Sequence, residues 1–256
     1  IDESIRHAIT KMAHLHFVSN KNSYDRVIKL GENKKNVFNV GCPRNDLVKK
    51  ILNNKKLSNS SLQKVSSYGV GDIKKIKENE KFIIVLQHPV TTEISFSNRQ
   101  IIETLKAVNK TKLKKIILWP NADAGYEEIS TEIRKFREKN TLNNFRLIKN
   151  LPIEIYANLL NKALCIVGNS SSAIRDGSFV GTPAVNIGTR QNARLRAKNV
   201  LDVGYKEKEI YSAIIKLLNK KKFKRSYLYG RGDAAIKIVN ILKKLKKVKI
   251  QKKIDY

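Results

Sequence analysis

The sequence predicts an α/β protein built on doubly wound parallel sheets. Three observations predict it. Short apolar, β-branched runs such as Phe82–Leu86 alternate with longer segments of helical periodicity. The central runs are apolar throughout, as in strands covered on both faces. Each run ends in a polar or glycine-containing turn, at the strand ends where open parallel sheets take their ligands. Crossovers between such strands are right-handed.

In order, Ile5, Ile9, Met12 and Ala13 recur at helical spacing, so the chain opens in a helix from Ile1 toward His16. Asp2 caps it and Glu3 suits its positive end. Residues 15–18 read as a strand closed by Ser19 and Asn20, and residues 23–30 as a helix stopped by Gly31. A strand over 37–40 ends at Gly41, Cys42 and Pro43, and 46–52 is a short helix. Residues 1–55 are thus the C-terminal part of a first Rossmann-like domain. Residues 56–80, rich in Ser, Asn and Lys, read as a linker with a turn or edge segment over 73–79.

From 81 to 225 the alternation is regular, which makes this stretch a second Rossmann-like domain. Strands fall at 82–86, 115–119, 145–148, 164–167, 184–187 and 200–203. Helices fall at 97–110, 127–140, 153–161, after the serines at 170–172, and at 206–218. Residues 226–256 hold a turn at 229–233, a final helix over 234–248 and a basic tail. No internal repeat of solenoid length is present.

The 256 residues allow one large domain or two small ones, and 41% hydrophobic content supports a core. No apolar run approaches the roughly 18 residues of a membrane span, and no signal-peptide pattern is visible. Cys42 and Cys165 are far apart and lack metal-ligand spacing, so they read as buried free thiols of a cytoplasmic protein. The net charge of +30 raises nucleic acid or an anionic membrane as partners. Yet Lys outnumbers Arg 39 to 13, and Arg is the bidentate reader of phosphate and guanine. The lysines are densest at 216–225 and 243–253, on or beside late helices, where charge runs form solvated faces. Neither nucleic acid nor membrane is the expected partner.

Residues 163–191 organise the function: strand, tight polar turn, helix, loop, strand. Gly168 and Asn169 break the apolar run, and Ser170, Ser171 and Ser172 open a helix. The first N–H groups of a helix lack internal partners and carry partial positive charge, so a phosphate suits that end. Asp176 lies about one and a half turns past Ser170, where an acidic side chain accepts from ribose hydroxyls. Capping without a ligand explains one such turn, although three serines exceed what a cap needs. The other strand ends add His88, Asn121, Asn150 and Arg190, which parallel strands bring to one edge. Together they suit a nucleotide, with His88 donating to a diphosphate oxygen and Arg190 holding or neutralising the diphosphate. Arg190 reads equally as a surface ion pair, and Asn121 alone as a turn former. His14 and His16 read as structural. Asp2, Arg6 and His7 share or adjoin a helix face, which spacing alone makes a cap beside exposed charges. No metal site is visible and no cofactor is expected.

Five segments, in order along nearly the whole chain, resemble UDP-N-acetylglucosamine 2-epimerases: DESIRHAITKMAHLHF at 2–17, LQHPVTTE at 86–93, WPNADAG at 119–125, GNSSSAIRDGSFVGTPAVNIGTRQ at 168–191 and YGRGDAA at 229–235. HPVTTE and NIGTRQ resemble the hydrolysing type, which makes N-acetylmannosamine for sialic acid. The resemblance implies a glycosyltransferase-B-like architecture of two Rossmann-like domains with the site in the cleft between them. The first domain is then incomplete, since the chain starts at Ile1 without the family's N-terminal part, which carries two further acidic residues and an arginine and serine for the diphosphate. UDP contacts are implied at His88, Asn121, the Leu151 peptide, Ser170, Ser171 and Arg190. A ribose contact is implied at Asp176, where glutamate is usual. Asp2 matches a catalytic carboxylate, which reverses the spacing-based reading, with Arg6 and His7 beside it in the motif. His88 serves binding and catalysis alike.

The implied activity converts UDP-N-acetylglucosamine and water to N-acetylmannosamine and UDP by elimination and hydration. The full-length protein is expected to be a homo-oligomer, dimer or tetramer, and this piece alone to be inactive. Three rival readings remain: a non-hydrolysing epimerase, a retaining glycosyltransferase of the same architecture, and a basic nucleic-acid-binding module, whose affinity falls steeply with salt.

Overall fold

The computed structural model describes residues 2–54, 62, 64–77, 79–139, 143–220, 222–245 and 251–252, with the backbone alone at Asp2 and Glu3. Ile1, Asn140 and 246–248 of the expected helices lie outside the described residues, as do 56–61, 63 and 78 of the expected linker. The chain forms two compact units, Ile1–Lys50 with Tyr227–Tyr256, and Ile51–Ser226.

The first unit pairs β1 (His16–Val18) with β2 (Val37–Asn39) in parallel. α2 (Lys21–Lys29) packs on both strands, and α1 (Asp2–Met12) and most of α3 (Pro43–Asn53) belong to the same unit. Asp2 lies within α1 rather than ahead of it as a cap. Asn20 caps α2, its Oδ1 accepting from the Ser23 N–H at 2.9 Å, so the helix begins two residues before the expected start. Pro43 likewise opens α3 early, because proline at the first helical position loses no N–H bond. His16 is buried on Glu32, with Nε2 3.0 Å from Oε2, and is structural as expected. Lys252 Nζ lies 2.7 Å from the same carboxylate oxygen and donates to the Thr10, Lys11 and Ala13 carbonyls at 2.8, 2.8 and 2.6 Å. It satisfies orphan acceptors at the C-terminus of α1, so this lysine of the basic tail is not solvated.

The second unit holds one six-stranded parallel sheet. Its strands are β3 (Phe82–Leu86), β4 (Lys114–Leu118), β5 (Phe145–Ile148), β6 (Cys165–Gly168), β7 (Ala184–Ile187) and β8 (Val200–Val203). Its helices are α4 (Ser97–Asn109), α5 (Tyr126–Glu138), α6 (Ile153–Lys162), α7 (Ser171–Ile174), α8 (Asp176–Val180) and α9 (Glu207–Leu218). The sheet runs β5-β4-β3-β6-β7-β8. The chain therefore winds outward from β3 to β5, returns to β6 beside β3, and winds outward again. The loops after β3 and β6 lead apart, which opens a crevice at their carboxyl ends. Ile83, Val85, Leu105, Val167, Val185 and Ile214 are buried in the core that fixes this edge.

The serine turn opens two short helices rather than the single expected one. The backbone breaks at Arg175 (φ −88, ψ −65), whose carbonyl accepts from the Ser178 hydroxyl at 3.0 Å. Residues 64–77 are fastened to the sheet edge. Val70 bridges Leu147, and Arg146 donates to the carbonyls of Tyr68, Gly69, Gly71 and Ile73 at 2.8 to 3.4 Å. Asp72 accepts from the Asn144 and Phe145 amides at 2.8 and 2.7 Å. Both cysteines are buried free thiols. Lys222, in the run read as solvated, is exposed and donates to the Asn161 carbonyl at 2.6 Å. No helix among the described residues is long and apolar enough to cross a membrane.

The final helix, α10 (Ala234–Lys243), belongs to the first unit. Asp46 of α3 accepts from its first two amides, Ala234 and Ala235, at 3.0 and 2.7 Å.

Gly168 ends β6 at φ +138, where a Cβ would stand 2.0 Å from the Leu86 carbonyl oxygen. Gly168→Ala should therefore destabilise the second unit by roughly 2–4 kcal/mol, seen as a lower urea midpoint. An unchanged midpoint would contradict this close approach of β6 to β3.

Candidate functional site

At the crevice between β3 and β6, the Asn169 side chain replaces a strand. Its Oδ1 accepts from the His88 N–H at 2.7 Å, and its Nδ2 donates to the His88 carbonyl at 2.8 Å. A carboxamide offers the donor and acceptor of a peptide, so the ladder gains one more rung where the strands part. Asn169 is completely buried and His88 nearly so. The imidazole is oriented by the loop after β4, where the Asn121 N–H donates to His88 Nδ1 at 3.0 Å. An Nδ1 that accepts leaves the proton on Nε2. Burial, with the Arg190 charge adding to it, lowers the His88 pKa to about 4. At neutral pH the ring is uncharged, a fixed Nε2–H donor with no lone pair left for a base.

Arg190 follows β7 and joins the same cluster. Its Nη1 donates to the Asn169 carbonyl at 3.4 Å, and its Nη2 lies 3.5 Å from Asp123. Both readings of this arginine are thus present, an ion pair and a place beside His88. Gln191 Nε2 donates to the same Asn169 carbonyl at 2.8 Å. Ser170 caps α7, its hydroxyl accepting from the Ser172 N–H at 3.3 Å. Ser171 accepts from Arg175 at 3.1 Å. A four-residue helix sums few peptide dipoles, so attraction here falls to individual N–H and O–H groups rather than a macrodipole.

Asp176 is 2% exposed and accepts from the Ser172 hydroxyl at 2.9 Å. That hydroxyl also lies 2.6 Å from the Tyr156 hydroxyl, which α6 supplies. The Leu151 N–H, after β5, donates to Asn150 Oδ1 at 2.9 Å, so a ligand meets this peptide at its carbonyl unless the side chain moves aside. The Asn121 side chain is exposed, and its backbone does the orienting. Asp2, Arg6 and His7 stand on α1 in the first unit, and the Asp2 side chain lies outside the described residues.

The structure thus brings together His88, Asn121, Ser170, Ser171 and Arg190 at one edge of one sheet. Sequence reasoning placed Asn169 among the strand-end polar residues but gave it no holding role, and it missed Gln191, which donates to the Asn169 carbonyl. One signal was available: an asparagine directly after an all-apolar strand and a glycine has no solvent to satisfy it. Chemically, a neutral imidazole donor, a guanidinium and short-helix N–H groups form a receptor for an anion whose charge increases. Among the described residues, no group of three or more His, Cys, Asp or Glu is placed to hold a metal.

Residues 1–243 match a family model described as UDP-N-acetylglucosamine 2-epimerase. A Legionella pneumophila protein named UDP-N,N'-diacetylbacillosamine 2-epimerase (hydrolyzing) is 32% identical over 95% of this chain and 61% of its own. A Campylobacter jejuni GDP/UDP-N,N'-diacetylbacillosamine 2-epimerase (hydrolyzing) is 34% identical over 79% of this chain and 50% of its own. The fold is also that of a Neisseria meningitidis UDP-GlcNAc 2-epimerase solved with UDP-GlcNAc, with a TM-score of 0.73 at 16% identity over 92% of this chain and 63% of that one. The chain spans between half and about three fifths of the length of the curated relatives it matches.

His88 should titrate near pH 4, against 6.5 for an ordinary histidine. Between those values the unfolded state binds more protons, so the contribution of His88 to stability rises with pH from about 4 to 6.5 and is flat above. Imidazole 15N resonances followed against pH should show the midpoint near 4 and the proton on Nε2. A midpoint near 6.5, or a proton on Nδ1, would contradict the assignment.

Proposed function

The chain belongs to the UDP-N-acetylglucosamine 2-epimerase family, and on that premise we propose that it forms the nucleotide-holding part of a hydrolysing enzyme, converting UDP-N-acetylglucosamine and water to N-acetylmannosamine and UDP. The observation that carries the reading is the meeting of a neutral His88 and a cationic Arg190 on one buried residue, Asn169. The names of the Legionella and Campylobacter relatives support the hydrolysing branch.

In this reading the diphosphate sits between the ends of β3 and β6. His88 Nε2–H, Arg190, Ser170 and Ser171 donate to it. Asp176, hydrogen-bonded to Ser172, accepts from the ribose, and Asn121 and the Leu151 peptide adjoin the nucleoside. A carboxylate removes the C2 proton, a weak acid that needs its base held in place. The C–H electron pair forms the C1–C2 double bond of a 2-acetamidoglucal. The C1–O bond breaks, and its pair goes to the terminal phosphate of UDP. His88 and Arg190 stabilise that charge as it grows, which favours the transition state over the ground state. Water then adds hydroxyl to C1 and a proton returns to C2 from the opposite face. Asp2 matches the family's catalytic carboxylate on resemblance alone. No cofactor enters this chemistry. Cytoplasmic location and homo-oligomeric assembly complete the proposal.

The 256-residue chain should bind UDP without turning over substrate, and a protein of the relatives' full length should release UDP and N-acetylmannosamine, read by NMR of the products. UDP-N-acetylmannosamine without free UDP would place it in the non-hydrolysing branch. His88→Ala in that protein should lower turnover by about a hundredfold or more, as loss of a charge-stabilising donor does. Unchanged turnover would remove His88 from the mechanism.

A further inference from the structure

Glu93, in the loop after β3, is the last residue of the HPVTTE segment and has no part in the mechanism above. Its carboxylate ties together three loops. One oxygen accepts from the Thr189 hydroxyl, and the other from the Tyr205 hydroxyl at 2.7 Å and from Gln100 Nε2 at 2.7 Å. The Tyr205 hydroxyl in turn lies 3.2 Å from the Thr189 N–H, as its acceptor. Thr189 is therefore anchored at both its amide and its hydroxyl. The next residue is Arg190. Gly188, directly before Thr189, has φ +68, and a Cβ there would stand 2.0 Å from the Tyr205 ring. The loop can thus carry no side chain where it passes the tyrosine.

Burial alone would raise the Glu93 pKa, but hydrogen bonds from Thr189, Tyr205 and Gln100 outweigh it and hold the group ionised. The site draws on the loops of two strands that flank β6. His88 comes from the β3 loop and Arg190 from the β7 loop, and Glu93 is the group of the first loop that grips the second. An arginine side chain has many rotamers, and directing it at one phosphate requires a fixed backbone. A carboxylate with three donors is a stronger anchor than a neutral contact would be.

We infer that Glu93 is a positioning residue of the diphosphate site, holding the Thr189 backbone so that Arg190 is directed at the terminal phosphate of a nucleoside diphosphate. This rests on the proposed reading of the crevice as a diphosphate site. The role differs from general bracing of the fold, because it predicts selectivity: loss of Glu93 should weaken a diphosphate far more than a monophosphate.

The test is calorimetric titration of the 256-residue chain with UDP and with UMP, comparing wild type, Glu93→Gln, Arg190→Ala and the double variant. Glu93→Gln should weaken UDP about tenfold, in the range of a hydrogen bond to a charged group, and UMP less than twofold. The double variant should bind UDP no more weakly than Arg190→Ala, since the two act as one unit. Equal weakening of UDP and UMP, or losses that add in the double variant, would overturn the inference. Thr189→Val, which leaves Glu93 in place, should move the UDP to UMP ratio in the same direction and decides the matter if Glu93→Gln fails to fold. Failure of the wild-type chain to bind UDP, or UDP affinity unchanged in Arg190→Ala, would instead overturn the diphosphate reading and the inference with it.

Discussion

The paired hydrogen bonds between the Asn169 carboxamide and the His88 peptide hold the site together. Backbone pairing of β3 with β6 ends at Leu86 and Gly168, and beyond it the two loops depart in opposite directions. Gly168 permits the approach and Asn169 extends it by one side chain. A buried carboxamide without partners would cost about 1–3 kcal/mol, so its full engagement with the His88 peptide is a condition of its being there. Once Asn169 is fixed, its own carbonyl becomes the anchor for Gln191 and Arg190. Three strand-end loops are thus registered on a single residue.

The electrostatics follow from that packing. Burial keeps His88 neutral, the Asn121 amide chooses its tautomer, and Arg190 nearby disfavours a second positive charge. The two donors are consequently different in kind. One is a directional dipole that costs nothing to keep uncharged at pH 7, and the other is a permanent cation. A leaving diphosphate gains charge during bond breaking, and a preformed pair of this sort needs little reorganisation to meet it. With Nδ1 accepting from the Asn121 amide, His88 has no lone pair free to take a proton, which is why the proposed mechanism gives that task to a carboxylate.

Much of this was legible in the sequence. Alternating apolar runs and helical segments fixed the order of elements in the second unit, because parallel strands covered on both faces cannot disguise their hydrophobicity. His88, Ser170, Ser171 and Arg190 stood out because each ends an apolar run. What escaped depends on contacts between distant segments. Asn169 looked like a turn residue, since its partner lies 81 positions away. Residues 56–80 read as a linker with a turn or edge segment over 73–79, and what composition does not encode is that Arg146 ties the Tyr68, Gly69 and Ile73 carbonyls to the sheet edge. The split into α7 and α8 falls at Arg175, whose carbonyl accepts from both the Phe179 N–H and the Ser178 hydroxyl, a local detail invisible to periodicity. Lys252 counted as one more solvated charge, while its site on Glu32 and the end of α1 exists only in three dimensions.

The most direct measurement is an NMR titration of the 256-residue chain with UDP, following the His88 imidazole and the amides of Asn121, Ser170, Ser171 and Arg190 together. All five should respond with one common dissociation constant. Responses that saturate at different concentrations, or binding of UDP that leaves the imidazole unmoved, would contradict the claim that these loops form one diphosphate receptor.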